Sequence, residues 1–147
     1  MVTRHVEPLL RINSFEVLIG DQKLGFAEIS RLSSEDDPAL PAKHARRFAP
    51  VVLRRALTTS PELYGWRRAI VAGIDDRRDV TIRQLAEPGG KVVNAWRLVQ
   101  AWPIRWSGPS FDALDDGIAT EEIELAFDDL LWVDEKAPTR SRTVPRR

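Results

Sequence analysis

The sequence contains no cysteine, and among its 147 residues there are only two histidines, one methionine and one tyrosine. The absence of cysteine excludes disulfide bonds, thiolate metal ligands and cysteine nucleophiles. The formal net charge is zero, so the chain as a whole does not attract nucleic acid electrostatically. No apolar run approaches the roughly 20 residues of a membrane-spanning helix. The polar start Met1–His5 also lacks the character of a secretion signal.

The few residues that could carry chemistry are not placed for it. His5 and His44 lie in polar segments without an acidic partner at metal-ligand spacing, so we interpret both as solvent-exposed. Gly89–Gly90 lacks the pattern of a phosphate-binding loop. Adjacent acidic residues are interpreted as turns, because neighbouring carboxylates point apart and stay hydrated; they are Asp36–Asp37, Asp75–Asp76, Asp115–Asp116 and Asp128–Asp129. We therefore expect no enzymatic activity, no catalytic residues, no cofactor and no metal.

The first third of the chain is predicted to contain a hairpin, a long loop and a strand. Phe15–Ile19 alternates in side-chain character, and the turn at Gly20–Lys23 leads into the apolar run Leu24–Ile29, which together predict the hairpin. Residues 31–50 carry three prolines and clustered charges, which are typical of a long loop. Val51–Leu57 has the composition of a short strand.

One segment has a clear helix signal. Ser60 can cap a helix, Pro61 suits its first position, and Glu62 favours the positive end of its dipole. Gly73 is a natural end. The predicted buried face consists of Leu63, Trp66 and Ile70.

The remainder of the chain is predicted to form several antiparallel strands. Glu87–Gly90 is predicted to be a hairpin turn. In the following strand, Pro103 predicts an edge, a bulge or a break because it cannot donate a ladder hydrogen bond. Apolar residues of one parity in that strand are predicted to face the core: Trp96, Leu98, Trp102, Ile104 and Trp106.

These patterns predict a mainly β fold, with one helix packed on a sheet or barrel. We expect one domain over residues 1–132, followed by a flexible basic tail over residues 133–147. The predicted core between sheet and helix consists of Val17, Ile19, Ile82, Trp96, Leu98, Ile123 and Leu125.

An ordered set of segments, over roughly residues 8–132, resembles a known family. The most specific part is Trp96–Leu98 followed by Ala101–Trp106. Other matching segments are Phe15–Gly20, Gly25–Ser30, Leu53–Thr58, Leu63–Trp66, Arg77–Leu85, Phe111–Ala113 and Ala119–Ala126. Together they resemble the contractile phage tail tube protein family, which includes the inner-tube proteins of phage-tail-like contractile injection systems. Residues that stand where this family often has glycine are Arg31, Ala56 and Asp129.

The resemblance implies a structural subunit of an inner tube. Its implied fold is two packed antiparallel sheets, a barrel-like sandwich with one flanking α-helix, which join a continuous β-barrel in a hexameric ring. Rings stack around a lumen that conducts cargo. Implied partners are other copies of the chain, a sheath protein, baseplate or spike proteins, and DNA or protein cargo, with no membrane insertion by this chain alone. Assembly is expected in the cytoplasm, before the subunit becomes part of a phage tail or injection-system particle.

Residue roles and alternatives follow from that arrangement. Charged residues opposite the core are expected to line the lumen or a subunit seam: Glu16, Arg83, Arg97, Glu122 and Glu124. The 31–50 loop is expected to contact the next ring, with Glu35, Asp36, Asp37 and Lys43 as candidates. The main alternative is a tube-initiator or baseplate-adaptor paralogue that links tube to spike, which the missing glycines and basic tail favour slightly. A more remote alternative is a single-stranded nucleic-acid-binding module that uses the tryptophan- and arginine-containing strand.

Overall fold

The computed structural model describes residues 9–135, which form antiparallel strands and one α-helix. The helix α1 spans Glu62–Val71, and a short 3-10 turn spans Ala42–His44. The strands are β1 (Phe15–Ile19), β2 (Gln22–Leu24), β3 (Glu28–Ile29), β4 (Glu35–Asp36), β5 (Arg46–Arg47), β6 (Val51–Ala56), β7 (Arg78–Leu85), β8 (Val92–Ser107), β9 (Thr120–Ala126) and β10 (Asp129–Val133). The predicted mainly β fold with one helix is confirmed.

Two antiparallel sheets share the long strand β8. The first half of β8 pairs with β7 and β10, and with β1 and β2 these strands form the first sheet. The second half of β8 pairs with β9, and with β6 and β3 these strands form the second sheet. The predicted hairpin is confirmed up to Leu24. Its continuation to Ile29 was wrong, because the chain crosses to the second sheet and Phe26 and Ile29 pack against the core there.

The core lies between the two sheets and is closed on one side by α1. Val17 and Val80 of the first sheet and Leu53 of the second are all completely buried, and Trp66 of α1 packs among them. Burying a large apolar side chain contributes about 1.5–3 kcal/mol, so this shared cluster holds the two sheets together. The predicted core is confirmed apart from Trp96, which is only half-buried and stacks on the exposed Trp132 with ring centroids 5.3 Å apart.

Gln100 bends β8 where the strand passes from one sheet to the other. Its φ of +53° lies in the left-handed region that residues other than glycine rarely adopt. Its N–H donates to the Asp79 carboxylate at 3.0 Å, and the pairing of β8 with β7 changes register nearby. This bend allows one strand to serve two sheets.

The bend reverses the alternation of side chains along β8. Ala101 and Pro103 are buried, whereas Trp102 is half-buried and Ile104 is exposed. The predicted single apolar parity from Trp96 to Trp106 is therefore wrong. The irregularity predicted at Pro103 is confirmed, since the pairing with β9 changes register immediately after it.

The helix begins one residue later than its sequence signals predict. Its first hydrogen bond runs from the Gly65 N–H to the Pro61 carbonyl at 2.7 Å, so Pro61 is the N-cap and the predicted cap by Ser60 is wrong. The predicted end is confirmed. Gly73 has φ +83°, its N–H donates to the Ile70 carbonyl at 3.0 Å, and the next N–H donates to the Ala69 carbonyl. These bonds form a Schellman motif, which requires the left-handed conformation that glycine adopts readily.

The segment 31–50 is more ordered than the predicted loop. Strands β4 and β5 pair as a small separate hairpin, and Phe48 packs on Phe127 with ring centroids 5.5 Å apart. At the other end, β10 includes Val133, and Glu135 binds Arg83, although the sequence predicts both residues in the tail. The rest of that tail, residues 136–147, lies outside the described residues, as does His5. Within residues 9–135, no helix has the length and apolar character to span a membrane.

Candidate assembly surfaces

The outer face of the first sheet carries an ion-pair network. The register of β1 and β7 places Glu16 opposite Arg83, so the two side chains share a face. Arg83 lies 3.9 Å from Glu16 and 3.0 Å from Glu135, and Lys23 lies 2.6 Å from Glu16. Arg97 is on this face too, because it is two residues from the β8 partner of Arg83. Charges of opposite sign therefore alternate across the face.

The outer face of the second sheet carries a separate charge ladder. Across β8, β9, β6 and β3, basic and acidic side chains alternate at 3.6–3.9 Å. The ladder consists of Glu124, Arg105, Glu122, Arg54 and Glu28. Each exposed pair contributes only about 0–1 kcal/mol, but opposite charges at facing positions favour this strand register.

The five residues predicted to line a lumen or seam are distributed over the outer faces of the two sheets. Glu16, Arg83 and Arg97 lie on the first sheet, and Glu122 and Glu124 lie on the second. Because the core lies between the sheets, their outer faces point away from each other. The five side chains therefore form two surfaces instead of one.

The candidate inter-ring residues sit on the small hairpin. Glu35, Asp36 and Lys43 are exposed. Asp37 is more enclosed, and its carboxylate accepts hydrogen bonds from the Arg47 guanidinium and the Ala39 N–H, both at 3.0 Å. Asp37 therefore stabilises the shape of the hairpin, while the other three present their charges to solvent.

A buried ion cluster joins the second sheet to α1, and it is absent from the predicted sites. Arg55 Nε donates to Glu121 at 2.9 Å, and Arg55 Nη1 donates to Glu62 at 3.0 Å. Trp106 Nε1 donates to the second oxygen of Glu121 at 2.9 Å. The side chains of Arg55 and Glu121 are only 7% and 3% exposed. The sequence does indicate that both side chains are buried, because Arg55 and Glu121 alternate in step with the buried apolar residues of their own strands.

A second polar clamp fixes the middle of α1 to the start of β7. Arg78 donates to both carboxylate oxygens of Asp76, at 2.9 and 2.8 Å, and its guanidinium stacks on Trp66 at 4.8 Å. Trp66 Nε1 donates in turn to the Asp76 carbonyl at 2.6 Å. The hydrogen bonds from Arg78 lower the pKa of the Asp76 carboxyl, opposed by partial burial.

Over residues 9–135, no cluster of three or more His, Cys, Asp or Glu side chains could hold a metal ion. His44 is exposed, in agreement with its interpretation from sequence.

Residues 11–131 match the family of the T4-like virus tail tube protein gp19. The chain belongs to this tail tube family. No curated protein sequence matches it significantly. The family assignment covers the two sheets and α1 almost completely, and it confirms the resemblance inferred from the sequence.

Solved structures share the tail tube fold. A chain from the sheath-tube complex of the extracellular contractile injection system PVC, in its extended state, superimposes with TM-score 0.71 and 24% identity, over 87% of this chain and 93% of that one. The tube-terminating cap of the anti-feeding prophage gives TM-score 0.74 and 21% identity, over 90% and 95%. Hcp1 from Flavobacterium johnsoniae gives TM-score 0.60 and 14% identity, over 81% and 94%.

Proposed function

We propose that the chain is a structural subunit of the inner tube of a contractile phage tail or phage-tail-like injection system. It forms hexameric rings that stack around a cargo-conducting lumen. The observation that carries this proposal is the family match over residues 11–131, which spans nearly the whole described fold. The proposed role is mechanical and involves no reaction.

The edges of the sheets support self-assembly. The strand order ends at β2 on one side and β3 on the other, and among the described residues β10 pairs only with β8. Edge strands leave N–H and C=O groups that another strand can pair with, and proteins commonly cover such edges. Joining neighbouring subunits into a continuous β-barrel would satisfy these groups.

One outer face lines the lumen in this proposal, and the other lies at a seam or at the outside of the tube. The first set is Glu16, Arg83 and Arg97, and the second is Glu122 and Glu124. On either face, acidic and basic side chains pair across strands. Such a mixed-charge wall suits DNA or protein cargo, because neither sign of charge on the cargo is held strongly.

The small hairpin provides the contact between rings in this proposal, through Glu35, Asp36 and Lys43. Other partners are a sheath protein around the tube and baseplate or spike proteins at its end. The subunit assembles in the cytoplasm before it becomes part of the particle.

A terminal position in the tube is the second candidate. The likeness to the tube-terminating cap of the anti-feeding prophage is as close as the likeness to the PVC chain. A terminal subunit, whether it initiates the tube or adapts it to the baseplate, would form a ring without extending it. The non-glycine residues Arg31, Ala56 and Asp129 are the sequence features that favour this version.

Native mass measurement and negative-stain microscopy of the purified full chain test the proposal. Six-fold rings that stack into tubes support the tube subunit, and single rings that do not extend support the terminal subunit. A stable monomer would contradict both. Salt-dependent binding of single-stranded DNA by that monomer would instead support the nucleic-acid-binding alternative.

A further inference from the structure

The loop that joins β8 to β9, residues 108–119, presents large apolar side chains to solvent. Phe111 is 88% exposed, Leu114 is 98% exposed and Ile118 is 82% exposed. Isolated exposed apolar residues are common, but three within one short loop concentrate apolar surface in one place, which is a feature of interaction sites. We call residues 108–119 the apolar loop.

Acidic side chains of the apolar loop hold its backbone in shape. Asp112 accepts a hydrogen bond from the Leu114 N–H at 3.0 Å, and Asp115 accepts one from the Gly117 N–H at 2.8 Å. A loop that is already ordered loses less conformational entropy when it binds. The apolar loop also contains three aspartates and no basic residue, so its charge is strongly negative.

An open apolar groove of about 400 Å³ lies between the two sheets. Its apolar lining includes Ile12, Phe15, Ile29, Leu32, Ile82 and Trp96. The charged residues of this lining are Arg11 and Glu28, and Glu28 is already paired with Arg54 at 3.6 Å. Arg11 is therefore the charge that can face an acidic partner, and together with the apolar lining it complements the apolar loop.

The apolar loop and the groove lie at opposite ends of the second sheet. The Leu57 N–H donates to the Ala119 carbonyl, which fixes the loop beside the end of β6. The Ser30 N–H donates to the Val52 carbonyl, which places the groove beside the start of β6. Five residues of strand separate these points by roughly 16 Å. The apolar loop of a chain therefore does not reach that chain's own groove, and the complementary surfaces suit head-to-tail association of copies.

We propose that the apolar loop of one copy docks into the groove of the next copy. This contact rests on the proposed self-assembly and adds a specific interface to it. It is heterologous, meaning that two different surfaces of the same chain meet, and such contacts extend into rings or open stacks. The apolar side chains fill the groove, while the loop aspartates approach Arg11 in its lining.

Cross-linking of introduced cysteines tests the contact, and the natural absence of cysteine gives a clean background. The full-length chain carries Leu114→Cys in the loop and Ile12→Cys in the groove, which is 93% exposed, and is treated with a short thiol-specific cross-linker. We expect the single band to shift to a ladder of covalent multimers. The matched control combines Leu114→Cys with Val71→Cys on α1, which is 53% exposed and is not part of the groove lining, and we expect it to stay monomeric on the gel.

Imaging of the same samples before cross-linking separates this contact from the proposed function. Rings or tubes without a ladder overturn the docking and leave the tube subunit standing. Monomers without a ladder overturn both. Covalent dimers from Leu114→Cys alone also overturn the docking, because they require a symmetric contact between two loops.

Discussion

Arg55 and Glu121 form an ion pair inside the protein, with Arg55 Nε 2.9 Å from Glu121 Oε2 and both side chains almost completely buried. The residues are opposite each other on β6 and β9, on the face that packs toward the core. Glu62 and Trp106 also bind this pair, so the cluster joins both strands to the start of α1. Removing one partner of a buried ion pair leaves the other charge without compensation, so we expect the stability of the fold to be sensitive to substitution of either residue.

We predict that Glu121→Ala lowers the free energy of unfolding by about 3–5 kcal/mol, because Arg55 would then be buried without its closest counter-charge. Urea denaturation followed by tryptophan fluorescence measures the change. The matched control is Glu122→Ala, the next residue of β9, which points outward to Arg54 and Arg105. That exposed pairing contributes about 0–1 kcal/mol, so similar losses from the two variants would contradict the prediction.

The sequence contained part of the information needed to find this cluster. Arg55 alternates in step with the buried Val51 and Leu53, and Glu121 alternates in step with Ile123 and Leu125. Alternation placed both charges on the inner faces of their strands. It could not pair them, because 66 residues separate them and only the β6–β9 register brings them together.

Two glycines near α1 should respond oppositely to the same substitution. Gly73→Ala is predicted to destabilise the protein by about 1–2 kcal/mol, because alanine disfavours the left-handed conformation, and Gly73 has φ +83°. Gly65→Ala is predicted to stabilise it by about 0.5–1 kcal/mol, because alanine loses less backbone entropy in a helix, and an added methyl group would meet open space there. Thermal or urea unfolding of both variants checks the signs, and a loss of stability in Gly65→Ala would contradict the account of α1.

The Asp76–Arg78 clamp predicts a loss of stability in acid. Arg78 lowers the pKa of Asp76 in the folded protein, so the unfolded chain takes up the proton first. The stabilisation is present above the unfolded pKa of about 3.9 and is lost as pH falls through the lower folded pKa. We expect the wild type to be more stable than Asp76→Asn at neutral pH, and this advantage to shrink in acid. Urea denaturation midpoints of both proteins, from neutral to acidic pH, measure this advantage. A difference in midpoint that does not change with pH would show that the charge of Asp76 does not contribute to stability.

The irregular path of β8 explains why its periodicity predicts the wrong buried residues. A period-two pattern assumes an uninterrupted strand, and a single irregular residue moves every later side chain to the other face. Pro103 predicts an irregularity, because proline lacks an N–H that could join the ladder. Glutamine at position 100 predicts none, since its left-handed conformation depends on a hydrogen bond to the Asp79 carboxylate, which is distant in sequence. The sequence therefore predicts that this segment is a strand. It does not predict that Ala101 is buried and that Trp102 is only half-buried.

The hairpin of β4 and β5 provides a test of ring stacking that leaves the two main sheets intact. Glu35 and Asp36 are exposed and lie opposite Arg47 and Arg46, so replacing both with lysine weakens this separate hairpin but should leave the two main sheets and ring formation unchanged. If these charges contact the next ring, reversal of their sign turns attraction into repulsion. We predict single rings in place of tubes by negative-stain microscopy. Asp37 is left in place, because its hydrogen bonds with Arg47 and Ala39 maintain the hairpin.

A charge-matched control separates a local contact from a change in net charge. Asp21→Lys combined with Glu87→Lys alters the charge equally at two other exposed turns and should leave the tubes unchanged. Raising the salt concentration should shorten wild-type tubes if exposed charges hold the rings together, because the screening length falls from about 10 Å at 0.1 M to about 3 Å at 1 M. Tubes of wild-type length from the Glu35→Lys, Asp36→Lys variant would show that the hairpin charges do not mediate stacking. The contact between rings would then have to come from another surface, and the apolar loop with its groove is a candidate among the described residues.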